Sequence, residues 1–235
     1  MNIMKLIASF FIVLCSTYSL SQEINQMDSD GLRHGIWKKN FTGTKSLRYE
    51  GQFEHGKEVG LFKFYIYMDK KSVLSATKKF NDSNDIAEVR FYSSKGKLIS
   101  EGNMHGKMYI GSWEYYHKIS DNIMRMEQYD NEGLQQGELL VYYENGKLAE
   151  KSNYKNGNLE GESVWFNQKG IKIKEFIYRN NELDGLSKYY SNKGELLIEG
   201  SYRRGKKHGI WRYYEKGKLK EEKDFTRRSK NPYRK

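Results

Sequence analysis

Apolar and polar residues alternate with a period of two along most of this chain, and glycine-containing turns break the alternation at regular intervals. In an extended backbone Trp211 and Tyr213 fall on one side, and Ile210, Arg212 and Tyr214 on the other. In the run before them Leu196, Ile198, Gly200 and Tyr202 share a face, and Leu148, Glu150, Ser152 and Tyr154 follow the same order. The glycine in that row leaves room for an aromatic ring from a neighbouring strand. Helix is excluded, because glycine and aromatic β-formers recur too often for an uninterrupted helical run. The single proline, Pro232, lies beyond the alternating segments, where it interrupts no ladder.

The strands come in pairs, and the pairs repeat. A glycine opens each aromatic strand at Gly35, Gly60, Gly111, Gly137, Gly161, Gly185 and Gly209, at spacings of 25, 51, 26, 24, 24 and 24 residues. The gap of 51 is two periods, and Ala87 stands at the missing position ahead of Phe91-Tyr92. Eight units therefore fill residues 31–225. An aromatic pair follows most openings, as in Phe64-Tyr65, Tyr115-Tyr116, Trp165-Phe166, Tyr189-Tyr190 and Tyr213-Tyr214, and Trp37, Phe62, Trp113 and Trp211 stand two residues earlier. A turn then follows at Lys95-Gly96, Asn145-Gly146, Lys169-Gly170, Lys193-Gly194 or Lys216-Gly217. Such dipeptides between alternating runs predict a hairpin with a type I′ turn, which needs positive φ at both central residues. Met68–Val73 and His117–Ile123 replace the short turn and are expected to be longer polar loops. The predicted fold is all-β: an elongated, single-layer antiparallel sheet of about eight stacked hairpins, stabilised by its units and their interfaces.

These residues resemble the MORN repeat, in particular its bacterial variant, whose pattern runs Gly-x-aromatic-x-x-Gly-Lys-x-x-Gly-x-Trp-x-x-Tyr-Tyr-x-x-Gly-Lys-Leu. Gly200–Leu219 follows it almost position for position, and Gly102–Tyr116 follows it closely. Whole proteins of this build also resemble the group termed YwqK-type antitoxins. The resemblance implies an elongated β-hairpin array and, through that group, a partner that neutralises a cognate toxin.

Residues 1–21 differ from the rest. Lys5 precedes the apolar run Leu6–Cys15, which is short for a membrane span, and Ser19 and Ser21 sit at −3 and −1 of a cleavage point before Gln22. This is the pattern of a secretory signal, with export to the periplasm, envelope or medium after cleavage near Ser21-Gln22. An uncleaved anchor is one alternative. A lipoprotein signal at Cys15 is the weaker one, since bulky Leu14 precedes the cysteine. Cys15 is the only cysteine, so the mature chain is expected to have neither disulfide nor thiol chemistry. Residues 22–30 are polar and read as a linker, and residues 226–235 as a basic tail.

Charge is concentrated at one end. From Arg203 to Lys235 there are fourteen Lys or Arg against four acids, whereas residues 22–202 are electrically balanced. Arg203, Arg204, Lys206, Lys207, Arg227, Arg228, Lys230, Arg234 and Lys235 form a candidate site for an anionic membrane, envelope polyanion or acidic protein. The basic end also has a structural reading: Lys220 and Lys223 would blunt the last strand of an open sheet, whose terminal repeat needs a polar cap. A second candidate is an aromatic face carrying Trp113, Tyr115, Trp165, Tyr189, Trp211 and Tyr213, because a single-layer sheet has two faces and Tyr and Trp are favoured interface anchors. Either that row or the Ile210/Tyr214 row is expected to be open.

Of the five histidines, His34, His55, His105, His117 and His208, four recur at the repeat's own spacing: His34 and His208 precede a unit glycine, and His55 and His105 precede a turn glycine. They read as solvated turn residues rather than metal ligands. No nucleophile elbow, phosphate loop or zinc pattern occurs, so neither catalytic residue nor cofactor is expected. Export and regular packing positions argue against stacking on nucleic acid. The expectation is an exported, non-enzymatic surface for protein binding or scaffolding. The alternatives are an antitoxin-like partner and an envelope-associated module acting through its basic end.

Overall fold

The computed structural model of the chain describes residues 23–81 and 84–226. Residues 1–21, for which a secretory signal is expected from sequence, Cys15 within them, and the tail residues Arg227, Arg228, Lys230, Arg234 and Lys235 lie outside the described residues. Within those residues all regular structure is β, in one antiparallel sheet of nineteen strands. A two-residue strand, β1 (Gln26–Met27), leads into β2 (Arg33–Asn40), β3 (Leu47–Glu54), β4 (Lys57–Met68) and β5 (Lys71–Phe80). There follow β6 (Ile86–Tyr92), β7 (Leu98–His105), β8 (Met108–Tyr116), β9 (Ile123–Tyr129), β10 (Gly137–Tyr142) and β11 (Leu148–Lys155). The last part comprises β12 (Asn158–Leu159), β13 (Gly161–Phe166), β14 (Lys172–Arg179), β15 (Glu182–Leu183), β16 (Gly185–Tyr190), β17 (Leu196–Arg203), β18 (Lys206–Glu215) and β19 (Lys218–Asp224). β12 and β15 are the leading pieces of the strands that β13 and β16 continue past Glu160 and Asp184. Paired in chain order, β2–β3 through β18–β19 make eight hairpins, each also joined to the next.

The packed face is built by a row two residues past the unit openings, buried in every unit but the first, where Trp37 is partly exposed. Phe62, Val89, Trp113, Leu139, Ser163, Ser187 and Trp211 occupy it, and all are buried. Most large residues of this row face a small one on an adjacent strand. Val89 opposes Gly102 and Trp113 opposes Gly102 from the other side; Leu139 opposes Ser152, Ser163 opposes Phe176, and Ser187 opposes Gly200. A single layer has no second sheet to cover it, so Phe62, Trp113 and Trp211 each lie over a glycine of the preceding strand instead. Ala87, Val89, Met104 and Trp113 form the most compact cluster, ringed by Phe80, Phe91, Tyr109, Tyr115 and Tyr129. Tyr109 stacks on Trp113 with ring centroids 3.9 Å apart. Paired rings of this kind contribute about 0.5–1.5 kcal/mol beyond area burial.

The unit glycine makes a bulge. At Gly60, Gly111 and Gly209 φ is +64°, +64° and +67°, and the register of each opening strand slips there against its predecessor. Ala87 takes no positive φ, and β5 and β6 pair without a slip from Ala76↔Phe91 to Phe80↔Ala87. Alanine pays for a left-handed backbone and glycine does not, so the one unit that lacks the glycine also lacks the bulge.

Three local expectations are corrected. The turns at Lys95-Gly96, Asn145-Gly146, Lys169-Gly170 and Lys193-Gly194 hold positive φ only at the glycine. At Asn145-Gly146, for example, Gly146 N–H donates to Tyr143 O and Tyr143 N–H to Lys147 O, a wider turn than type I′. Two successive positive φ values occur instead at His55-Gly56, Asn156-Gly157, Asn180-Asn181, Arg204-Gly205 and Lys216-Gly217, mostly the turns that pass the chain to the next hairpin. Met68–Val73 is not a long loop: β4 and β5 extend to a tight turn at Asp69-Lys70, with φ of +50° and +60°. Residues 23–30 are not simply linker. Gln26 and Met27 pair with His34 and Arg33, Asn25 N–H donates to Ile36 O, and Trp37 Nε1 donates to Gln26 O at 3.0 Å.

Candidate functional site

The two faces carry different chemistry. On one, the tyrosine that closes the aromatic pair in four of the units donates its hydroxyl to a glutamate of the strand before it. Tyr65 donates to Glu50 at 2.8 Å, Tyr116 to Glu101 at 2.5 Å, Tyr190 to Glu175 at 3.1 Å and Tyr214 to Glu199 at 2.7 Å. Basic residues flank these carboxylates: Lys38 and Lys63 at Glu50, Arg90 at Glu101, Lys172 at Glu175, and Arg212 between Glu199 and Glu222. The phenol hydrogen bonds hold Glu50 and Glu101 below the usual carboxylate range, and the Lys172 contact does so for Glu175. Burial, reinforced by the carboxylate, pushes Tyr65 and Tyr190 up to about 12. This face is a ladder of satisfied charges, with Leu61, Leu186 and Ile210 exposed beside it at the first position after a unit glycine.

On the packed face the sequence candidates separate into two rows. Trp113 and Trp211, at 0% and 1% exposed, belong to the buried row and present no ring to a partner. Their indole N–H groups are also used, Trp113 donating to Asn103 O at 2.9 Å and Trp211 to Ser201 O at 3.1 Å. They hold the sheet together, which corrects the expectation that they belong to an open aromatic row. Tyr115, Trp165, Tyr189 and Tyr213 lie two residues further on and are half-buried.

These four residues stand on one unbroken transverse line. Direct cross-strand partners run Tyr49, Phe64, Ala76, Phe91, Ser100, Tyr115, Arg125, Val141, Glu150, Trp165, Lys174, Tyr189, Ile198, Tyr213 and Glu221. Seven of its fifteen members are aromatic; charges stand within it at Arg125, Glu150 and Lys174, and Glu221 ends it. Arg125 lies over the Tyr115 ring at 4.6 Å and reaches Glu127 at 3.2 Å, while Tyr129 donates to Glu127 at 2.8 Å. Glu127 is buried and was not singled out by sequence; its only signal was a carboxylate in the row that elsewhere holds Gly102, Ser152 or Gly200. Burial, ahead of the nearby Glu127 charge, raises Tyr115 to about 12.

The basic candidates separate as well. Arg203, Arg204, Lys206, Lys207 and His208 line a concavity of about 310 Å³ at the turn between β17 and β18. Arg203, Arg204 and Lys206 are exposed and have no ion-pair partner among the described residues. Lys207 turns inward instead. Its Nζ lies 4.0 Å from the centre of the Trp211 ring and 5.1 Å from that of Phe225, and it donates to Tyr213 Oη at 3.4 Å. On the terminal strand β19, Lys220 pairs with Glu215 and Lys223 with Glu221.

The histidines also differ from one another. His117 is engaged by Glu144 and by Tyr142 O. His34 and His55, from two different slots of the repeat, meet with their ring centroids 5.2 Å apart, and His55 Nδ1 lies 2.8 Å from Asp28 Oδ2. The other Asp28 oxygen accepts the N–H groups of Leu32 and Asp30, and the Leu32 bond leads in holding this carboxyl below its ordinary range. No sequence spacing announced this group. It depends on the register of β2 against β3 and on the turn that precedes β2.

Three segments of the chain, 135–156, 183–204 and 207–226, match the family profile described as MORN repeat variant. No curated protein matches the chain by sequence. Among solved structures the chain is similar to one described as the crystal structure of TcdB2-TccC3-Cdc42, with 12% identity and a TM-score of 0.21. That match covers 80% of this chain and spans 13% of the length of the other.

Proposed function

We propose that this protein is an exported, non-enzymatic repeat protein whose packed face binds a protein partner laid across the strands. The observation that supports the reading is the transverse line from Tyr49 to Glu221, on which half-buried Tyr115, Trp165, Tyr189 and Tyr213 are interspersed with the charges Arg125, Glu150 and Lys174. Rigid aromatic anchors bounded by a few charges are the composition of interface cores, and the partner would gain contacts additively along the array. The MORN repeat variant segments favour a binding module over a catalytic one. Export rests on the signal pattern of residues 1–21. A toxin neutralised by this chain would be one member of the same partner class.

The test is affinity capture from the native cell-envelope extract with the wild-type chain, a Trp165→Ser/Tyr189→Ser variant and a chain lacking 226–235. A discrete protein retained at high salt and lost only with the double substitution supports the reading. Capture unaffected by the double substitution would overturn it.

A second reading is favoured by the concavity lined by Arg203, Arg204 and Lys206. Three cations at one exposed turn, without an ion-pair partner among the described residues, suit an anionic head group or polyanion, each contributing about 1 kcal/mol near an anionic surface. Vesicle binding that falls with salt and disappears in Arg203→Glu/Arg204→Glu is its signature.

A further inference from the structure

We infer that Asp28, His34 and His55 form a binding site for a divalent transition-metal ion, of the zinc, nickel or copper class, at the first hairpin of the array. One ligand atom from each residue lies within 4.8 Å of the other two. The residues come from three places: the turn ahead of β2, β2 itself, and the turn between β3 and β4. Two imidazoles and one carboxylate are a donor set that such ions take readily, whereas calcium or magnesium would call for oxygen.

The arrangement is prepared on the side away from the ion. Asp28 Oδ1 accepts two backbone N–H groups, from Asp30 at 3.0 Å and Leu32 at 2.8 Å, which leaves Oδ2 directed at the imidazoles. Its side chain is 9% exposed, so the carboxylate is held while the His55 side chain, 65% exposed, has room to turn. The turn is closed by Asp28 N–H to Leu32 O at 2.8 Å and by Gly31 N–H to Asp28 O at 3.1 Å. His34 is held by the pairing of β2 with β1, and Gly56 N–H donates to Arg33 O across the base of the site. Outer contacts of this kind are what orient metal ligands.

A bound ion needs its ligands about 2.0–2.2 Å away, hence about 3–3.5 Å from one another. Drawing the exposed rings together closes that gap, with water completing the coordination. An ion pair between Asp28 and His55 alone would explain those two residues. It leaves unexplained the second imidazole, His34, whose ring centroid lies 5.2 Å from that of His55. The site would pin the segment ahead of β2 to the β3–β4 turn and close the exposed start of the sheet.

The experiment is calorimetric titration of the untagged, EDTA-treated full chain with zinc chloride and, separately, nickel chloride. The expected result is saturation at one ion per chain, with affinity reduced roughly ten-fold or more in His34→Gln, in His55→Gln and in Asp28→Asn. His105→Gln and His208→Gln, which alter histidines outside the cluster, should titrate like wild type. Zinc should also raise the thermal midpoint of the wild type and not that of His34→Gln, because binding to the folded state stabilises it by mass action. Absence of saturable binding overturns the inference, and so does wild-type affinity in both His34→Gln and His55→Gln. Each variant is exposed or keeps the Oδ1 acceptor, and circular dichroism verifies its fold.

Discussion

The indole of Trp211 is seated on the backbone of Gly200: a β-carbon built on Gly200 would stand 2.2 Å from Trp211 Cδ2. The relation recurs at Gly51 beneath Phe62, at 2.3 Å, and at Gly102 beneath Trp113, at 2.5 Å. In a sheet one layer thick, burial of the largest side chains is obtained from the backbone of the adjacent strand. Gly200→Ala is therefore expected to destabilise the protein by about 1–3 kcal/mol through overpacking, and Trp211→Ala by about 3–5 kcal/mol through the cavity it leaves. Urea unfolding measures both, and a Gly200→Ala midpoint equal to wild type would contradict the seating.

The bulge at a unit opening should be a matter of backbone rather than space. Gly209 has φ +67° and nothing within 4 Å of a built β-carbon. Gly209→Ala is expected to cost about 1–2 kcal/mol from the left-handed backbone alone. Ala87→Gly should cost about 0.5–1 kcal/mol, because glycine loses more entropy in a regular strand. A gain in stability from Ala87→Gly would mean that the third unit also favours a bulge.

Buried Glu127 joins Arg125 and Tyr129 on the packed face. Glu127→Ala leaves a phenol and a guanidinium without their acceptor and is expected to cost about 1–3 kcal/mol. Arg125→Ala should cost less, since Tyr129 still donates to the carboxylate. Chemical denaturation of the two variants checks the order, and equal costs would show that the charge pair, not the phenol bond, dominates.

The tyrosine–glutamate ladder sets an alkaline limit. Tyr65 and Tyr190 are raised from 10.0 to about 12 in the folded state, so the unfolded chain loses these protons first. Their contribution is fully present below pH 10 and fades as pH climbs towards 12. The lowered Glu50, Glu101 and Glu175 act in the opposite direction: their contribution is present above about pH 4.5 and is lost as pH falls through the folded values. Phenolate absorbance and circular dichroism followed together should show Tyr65→Phe and Tyr190→Phe flattening the alkaline decline. A decline that begins well below pH 10 would point to another group.

Lys207 should behave unlike its basic neighbours. Its ammonium over Trp211 makes Lys207→Ala a stability variant, costing about 0.5–2 kcal/mol. Arg203→Ala, Arg204→Ala and Lys206→Ala should leave unfolding near wild type and reduce binding to anionic vesicles. Loss of vesicle binding in Lys207→Ala at full stability would reverse this division.

The period of two, the spacing of the unit glycines and the turn dipeptides were enough to determine an antiparallel array of eight hairpins, because each of these signals acts between residues close in sequence. Even the space above Gly200 was legible, since it lies in a row with Leu196, Ile198 and Tyr202. Strand register was not legible, and register decided the rest. Trp211 and Tyr213 share a face by alternation, yet only the strand offset seats one ring on a glycine and leaves the other half-exposed. Basic residues adjacent in sequence part company for the same reason, Lys206 to solvent and Lys207 onto an aromatic ring. Asp28, His34 and His55 have no common spacing at all. They meet because β1, β2 and the β3–β4 turn fold onto one corner, a proximity created by cross-strand hydrogen bonds between residues that local pattern does not connect.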